Sequence, residues 1–123
     1  MSRVPIYEQI IEQIETFVLK GILKAGDQIP SVRNLSVHLS INPNTIQKAY
    51  SDMDRRGIIC TVPGRGSFIA KDAEQNLRRL KLTQLKELKL TVEKFALAGI
   101  SKEEIEKVVN EVFLENMGKG EIS

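Results

Sequence analysis

Residues 62–70 read VPGRGSFIA, which places one arginine, Arg65, between Gly64 and Gly66 directly after a proline. Glycines on either side of a cation suit two chemistries. One is a loop that wraps a nucleotide phosphate. The other is a hairpin tip that carries a positive charge to some other anionic surface. The spacing decides between them. A phosphate-wrapping P-loop needs Gly-x-x-x-x-Gly-Lys-[Ser/Thr] leading into a helix, whereas Gly66 is followed by Ser67 and the β-prone run FIA. The hairpin is therefore expected, with glycines that let the chain reverse and approach another molecule closely.

A second group lies at 42–51, NPNTIQKAYS. Asn and Gln amides pair with adenine through two hydrogen bonds, and a lysine reaches guanine or a phosphate. Asn44, Thr45, Gln47, Lys48 and Ser51 thus carry the functional groups of base reading, although a solvated helix face has the same residue types. A third group is Ser31 and Arg33. A cation in the first turn of a helix sits at the end its dipole disfavours, so Arg33 points to an anionic partner or to a neighbouring carboxylate.

Other chemistries find little support. The chain has one cysteine and one histidine, Cys60 and His38, which excludes an intrachain disulfide and argues against zinc. Cys60 is expected as a small core or hairpin residue. No paired carboxylates, nucleophile elbow or metal-ligand spacing appears, so neither an enzyme nor a cofactor is expected. The 123 residues contain no apolar run of a membrane span, and the polar N-terminus is unlike a signal peptide, so the cytoplasm is expected. Net charge is only +2. Within 32–71, six Lys/Arg stand against two Asp/Glu, so positive charge gathers there.

These groups need a scaffold. In 5–20, Ile6, Ile10, Ile14 and Phe17 recur at helical spacing beside Ile11 and Val18, with Pro5 before and Gly21 after. Residues 21–30 read as a loop with a short extended piece. Ser31 caps a second helix to about Leu39, with Val32, Leu35 and Leu39 inward. Asn42 and Pro43 start a third helix, whose stripe is Ile46, Ala49, Tyr50 and Met53 and which ends at Gly57. Residues 58–62 and 67–70 are strands of a hairpin around Pro63–Gly66. From 72 to about 98 a helix roughly 40 Å long is expected, with Leu85, Leu88, Val92 and Phe95 as a seam. Ser101 and Glu104 form a capping box for a last helix bearing Ile105, Val108, Val109, Val112 and Phe113. The tail after Met117 is expected to fray.

Three helices followed by a hairpin is the order of a winged helix-turn-helix, whose third helix enters a DNA major groove. At this point the residues carry a resemblance. The stretch IPSVRNLSVHLSINPNTIQKAYSDMDRRGIICTVPGRGSFIA, with PIYEQIIEQIETFVLKGILKAGDQIPS before it, resembles the DNA-binding domain of the GntR family of bacterial transcription regulators. The likeness covers residues 3–71, with Ile29 where Leu is commoner. It implies double-stranded DNA as partner. It implies that Arg33 contacts the backbone or a groove-edge base, and that Asn42, Asn44, Thr45, Gln47 and Lys48 face the groove. Arg65 and Gly66 would form the wing tip, over or in the minor groove, with Ser67 adjoining. Apart from the resemblance, the small polar cap Ser31 marks a helix start whose free N–H groups suit phosphate oxygens. Position 47 is often basic in relatives; Gln47 suits adenine better.

Only 52 residues follow Lys71, which resembles the small YtrA-like subfamily, whose short helical tail serves dimerisation. Two helices of this size enclose little core, so the stripes Leu85, Leu88, Val92 and Phe95 and Ile105, Val109 and Val112 are expected to pair with a second copy. Folding back on the winged helix is the alternative. The expected architecture is mainly α with a small β-hairpin: a winged helix-turn-helix over 1–71, then a two-helix dimerisation segment over 72–123. The expected function is that of a homodimeric repressor at an inverted-repeat operator, with an unidentified small-molecule effector left open. The competing function is a winged helix that binds protein instead of DNA.

Overall fold

The computed structural model describes residues 4–118. Its elements run α1 (Ile6–Leu19), β1 (Gln28–Ile29), α2 (Val32–Leu39), α3 (Pro43–Arg55), β2 (Ile59–Val62), β3 (Gly66–Ile69), α4 (Ala73–Leu97) and α5 (Lys102–Gly118). The chain forms two compact units, dividing between Arg79 and Leu80 within α4. The tail expected to fray begins at the last residue of α5, and beyond Gly118 it lies outside the described residues. Among the described residues no helix is long and apolar enough to cross a membrane.

In the first unit, α1 and α3 pack through Ile10, Ile11 and Val18 on one side and Ile46, Ala49, Tyr50 and Met53 on the other. Each fully buried large apolar side chain contributes about 1.5–3 kcal/mol, so this stripe anchors α3 and turns its other face outward. The helix ends where Gly57, at φ +76°, takes the left-handed conformation that a side chain resists. Ala73 and Leu77 are buried in the same core, which carries the start of α4 into the first unit, past the boundary expected at 71/72.

Two details differ from expectation. Leu39 is 44% exposed instead of facing inward, whereas Ser36 is buried and its hydroxyl donates to the Ile41 carbonyl at the turn into α3. Ser40 there holds φ +54°. The hairpin is also the larger part of a three-stranded sheet of order β1-β3-β2. The extended piece in the 21–30 loop is β1, which pairs Gln28 with Phe68 and Ile29 with Ser67.

The second unit consists of the rest of α4 and α5. At its helix junction Ser101 accepts from the Glu104 N–H at 3.1 Å, and its hydroxyl also lies 3.1 Å from Glu104 Oε1. This is a serine cap with the acid bonded to the capping hydroxyl.

Candidate nucleic-acid interface

Helix α3 begins with its own cap. Asn42 Oδ1 accepts the Asn44 N–H at 2.8 Å, and Pro43 fills the first turn where no donor is needed. With Ile46, Ala49, Tyr50 and Met53 buried, helical geometry puts Asn44, Gln47, Lys48 and Ser51 on the outer face, all exposed; Thr45 is half-buried. Two of these side chains are already oriented. Gln47 Nε2 donates to Ser51 Oγ at 3.0 Å, which leaves its second N–H and its carbonyl oxygen, the pair that adenine requires. Lys48 Nζ stands 4.0 Å from the centroid of the Tyr7 ring, a cation–π contact that holds an ammonium without neutralising it. Tyr7, on α1, carries no periodicity signal that links it to position 48.

Helix α2 offers a second edge. Ser31 Oγ accepts the Asn34 N–H at 3.0 Å, so one donor of the first turn is satisfied and the turn is fixed. Arg33 is exposed, and among the described residues no carboxylate pairs with it. Burial raises the Tyr50 phenol to about 12, and its hydroxyl donates to the Pro30 carbonyl at 2.6 Å. That bond ties α3 to the residue just before the α2 cap.

The wing is the third edge. Val62 pairs with Gly66, so the turn holds Pro63, Gly64 and Arg65, one residue fewer than expected. The Arg65 N–H donates to the Val62 carbonyl at 2.9 Å, and the Arg65 side chain is exposed. An open groove of about 600 Å³ separates the wing from the start of α2, lined by Gln28, Pro30, Ser31, Asn34, Arg65 and Gly66. The first unit thus brings Ser31, Arg65 and Gly66 to one groove. Ser67 is not among them. It is buried, its hydroxyl 3.2 Å from that of Thr61 on the neighbouring strand. Strand alternation turns it inward, which corrects the expectation that it faces a partner with Arg65.

The remaining cations near α3 are occupied. Arg56 lies 2.7 Å from Asp52 and 3.6 Å from the buried Glu15, and Arg55 lies 3.1 Å from Asp52. Cys60 is on the hairpin and exposed, so the core alternative is set aside. Among the described residues no three His, Cys, Asp or Glu side chains gather as a metal site.

In the second unit the expected seam is open. Leu85, Leu88, Phe95, Val109 and Val112 are between 44% and 53% exposed, and Val92 and Ile105 are half-buried.

Residues 6–69 match the family model described as bacterial regulatory proteins, gntR family. The HTH-type transcriptional repressor YtrA of Bacillus subtilis is 44% identical over 112 residues, covering 90% of this chain and 86% of that one. A transcriptional regulator from Oenococcus oeni superposes with a TM-score of 0.74 at 32% identity, covering 92% of this chain and 94% of that one. AraR(DBD), solved in complex with operator ORE1, matches 55% of this chain and 82% of its own with a TM-score of 0.52 at 30% identity. An exposed polar α3, a capped α2 and a glycine-flanked wing, in a chain with these relatives, have one family in common: the protein belongs to the GntR family of DNA-binding transcription regulators and is not an enzyme.

Proposed function

We propose that the protein is a homodimeric, sequence-specific repressor that binds an inverted-repeat operator and works in the cytoplasm. The observation that carries the reading is the outer face of α3, where Asn44, Gln47, Lys48 and Ser51 present amides, a hydroxyl and an ammonium and no apolar side chain. A helix built to bind protein would expose apolar residues there. α3 is inserted in the major groove, Gln47 and Asn44 read bases, and Ser31, Arg33 and Arg65 meet the backbone on either side. Arg65 is exposed at the tip of the turn, where the negative potential of a minor groove draws arginine.

The uncovered seam of α4 and α5 supports the dimer. Apolar side chains in two helices that are about half exposed need a partner surface, and a second copy offers the same surface by symmetry. Two copies related by a two-fold axis read two half-sites of an inverted repeat. That the action is repression rests on the name given to the Bacillus subtilis relative.

Selection of bound duplexes from random DNA tests the reading. A recovered inverted repeat is the expected result, and repetition with candidate small molecules detects an effector as a shift in recovery. Absence of any enriched motif overturns the reading in favour of protein binding.

A further inference from the structure

We propose that Gln28 is a positioning residue for the wing, acting through Arg65; the inference rests on the reading of Arg65 as a DNA contact. Gln28 is exposed and belongs to a strand of two residues, so neither periodicity nor the hairpin signals draw attention to it. Its pairing with Phe68 places its side chain on the same face of the sheet as Phe68 and Cys60. From there Nε2 donates to the Arg65 carbonyl at 2.9 Å, across 37 residues of sequence.

The wing tip otherwise has few ties. A side chain added at Gly64 would meet nothing within 4 Å. The turn is closed by the single Arg65 N–H bond to Val62 and the pair Val62–Gly66. β1 pairs with β3 only as far as Ser67, so beyond it the tip has just the two hairpin strands, an arrangement that is marginally stable alone. The Gln28 bond joins the turn to the opposite edge strand of the sheet, and so fixes the tip against β1.

Gly66 completes the contact. Its φ is +114°, and a Cβ there would come 2.7 Å from Gln28 Nε2. The absent side chain is the space in which the amide lies. The same β1 runs directly into Pro30 and the Ser31 cap, so the residue that holds Arg65 is covalently close to the other wall of the groove. Gln28 therefore sets the distance between the two backbone-contacting edges, while its own side chain donates to protein.

The test is a double-mutant cycle on the duplex recovered by selection, with Kd measured over a salt series for the wild type, Gln28→Met, Arg65→Ala and the double variant. Methionine keeps the length of glutamine and removes the donor. Arg65→Ala is expected to weaken binding and reduce the salt slope by about one. Gln28→Met is expected to weaken binding by about 3- to 10-fold, the worth of one hydrogen bond, and to cost nothing further when Arg65 is already alanine. Backbone relaxation of the Arg65 amide in the free protein supplies an independent readout. Its order parameter is expected to fall from about 0.85 toward 0.6 in Gln28→Met, with residues of α3 unchanged. An unchanged order parameter overturns the proposal, as does equal loss from Gln28→Met with and without Arg65. If Arg65→Ala weakens binding and Gln28→Met does not, only the role of Gln28 falls. If Arg65→Ala binds like wild type at every salt concentration, the wing assignment falls and takes the role of Gln28 with it.

Discussion

Gln47 is the residue on which base preference is expected to turn. Its remaining N–H and carbonyl oxygen match the two groups of adenine, and Ser51 already limits its rotation. Gln47→Ala is expected to relax preference at one position per half-site, costing about 1–3 kcal/mol there; repeating the selection with the variant checks it. Tyr50 makes a different kind of statement. Its phenol is raised from 10.0 to about 12 by burial, so the folded state favours the neutral form. The stability this contributes is complete below pH 10 and is lost as pH rises from 10 through about 12. Tyr50→Phe also leaves the Pro30 carbonyl without its partner and is expected to cost about 1 kcal/mol at neutral pH. Urea denaturation should show the gap between wild type and variant narrowing across that alkaline window.

Elements were legible in the sequence where their signal was local. The helix of α1, the Asn42-Pro43 start of α3, the Ser101–Glu104 cap and the hairpin all rest on residues within a turn or two of each other, and all stand in the structure, although Ile6 at the head of the α1 stripe is 52% exposed. What was missed depends on distant partners. Glu15 is only 6% exposed, which no charge pattern within α1 suggests; its partner Arg56 lies beyond both α2 and α3. β1 is two residues long, too short for alternation to appear, so its pairing and the bond from Gln28 were out of reach. The direction of Ser67 is likewise set from a distance: its pairing with Ile29 and Thr61 turns it to the buried face, and helical period alone does not bury Leu39. The groove residues Ser31, Arg65 and Gly66 were legible as types, but their meeting was not. At this scale Gly57 offers a test. It holds φ +76°, and a Cβ there would collide with Asn76, whose amide donates to the Gly57 carbonyl at 2.9 Å. Gly57→Ala is expected to cost about 1–3 kcal/mol, measured by denaturation, and to unsettle the passage from α3 into β2.

For the whole molecule the governing quantity is apolar surface in the second unit. Leu88 is 52% exposed in the middle of α4. On the proposed dimer a charge at the centre of the seam is left without a partner, so Leu88→Asp is expected to yield a monomer by sedimentation with the first unit still folded. A variant that remains wholly dimeric places the interface elsewhere. The open seam has a consequence for dosage. On the proposed dimer, each operator is filled by two chains that must first meet. Below the dissociation constant of that meeting, occupancy follows the square of chain concentration, and halving expression lowers it roughly fourfold. Half-exposed leucines and valines on α4 and α5 would then make the cell's supply of this protein a threshold variable, and a weaker seam would raise the threshold with no change in any residue that touches DNA.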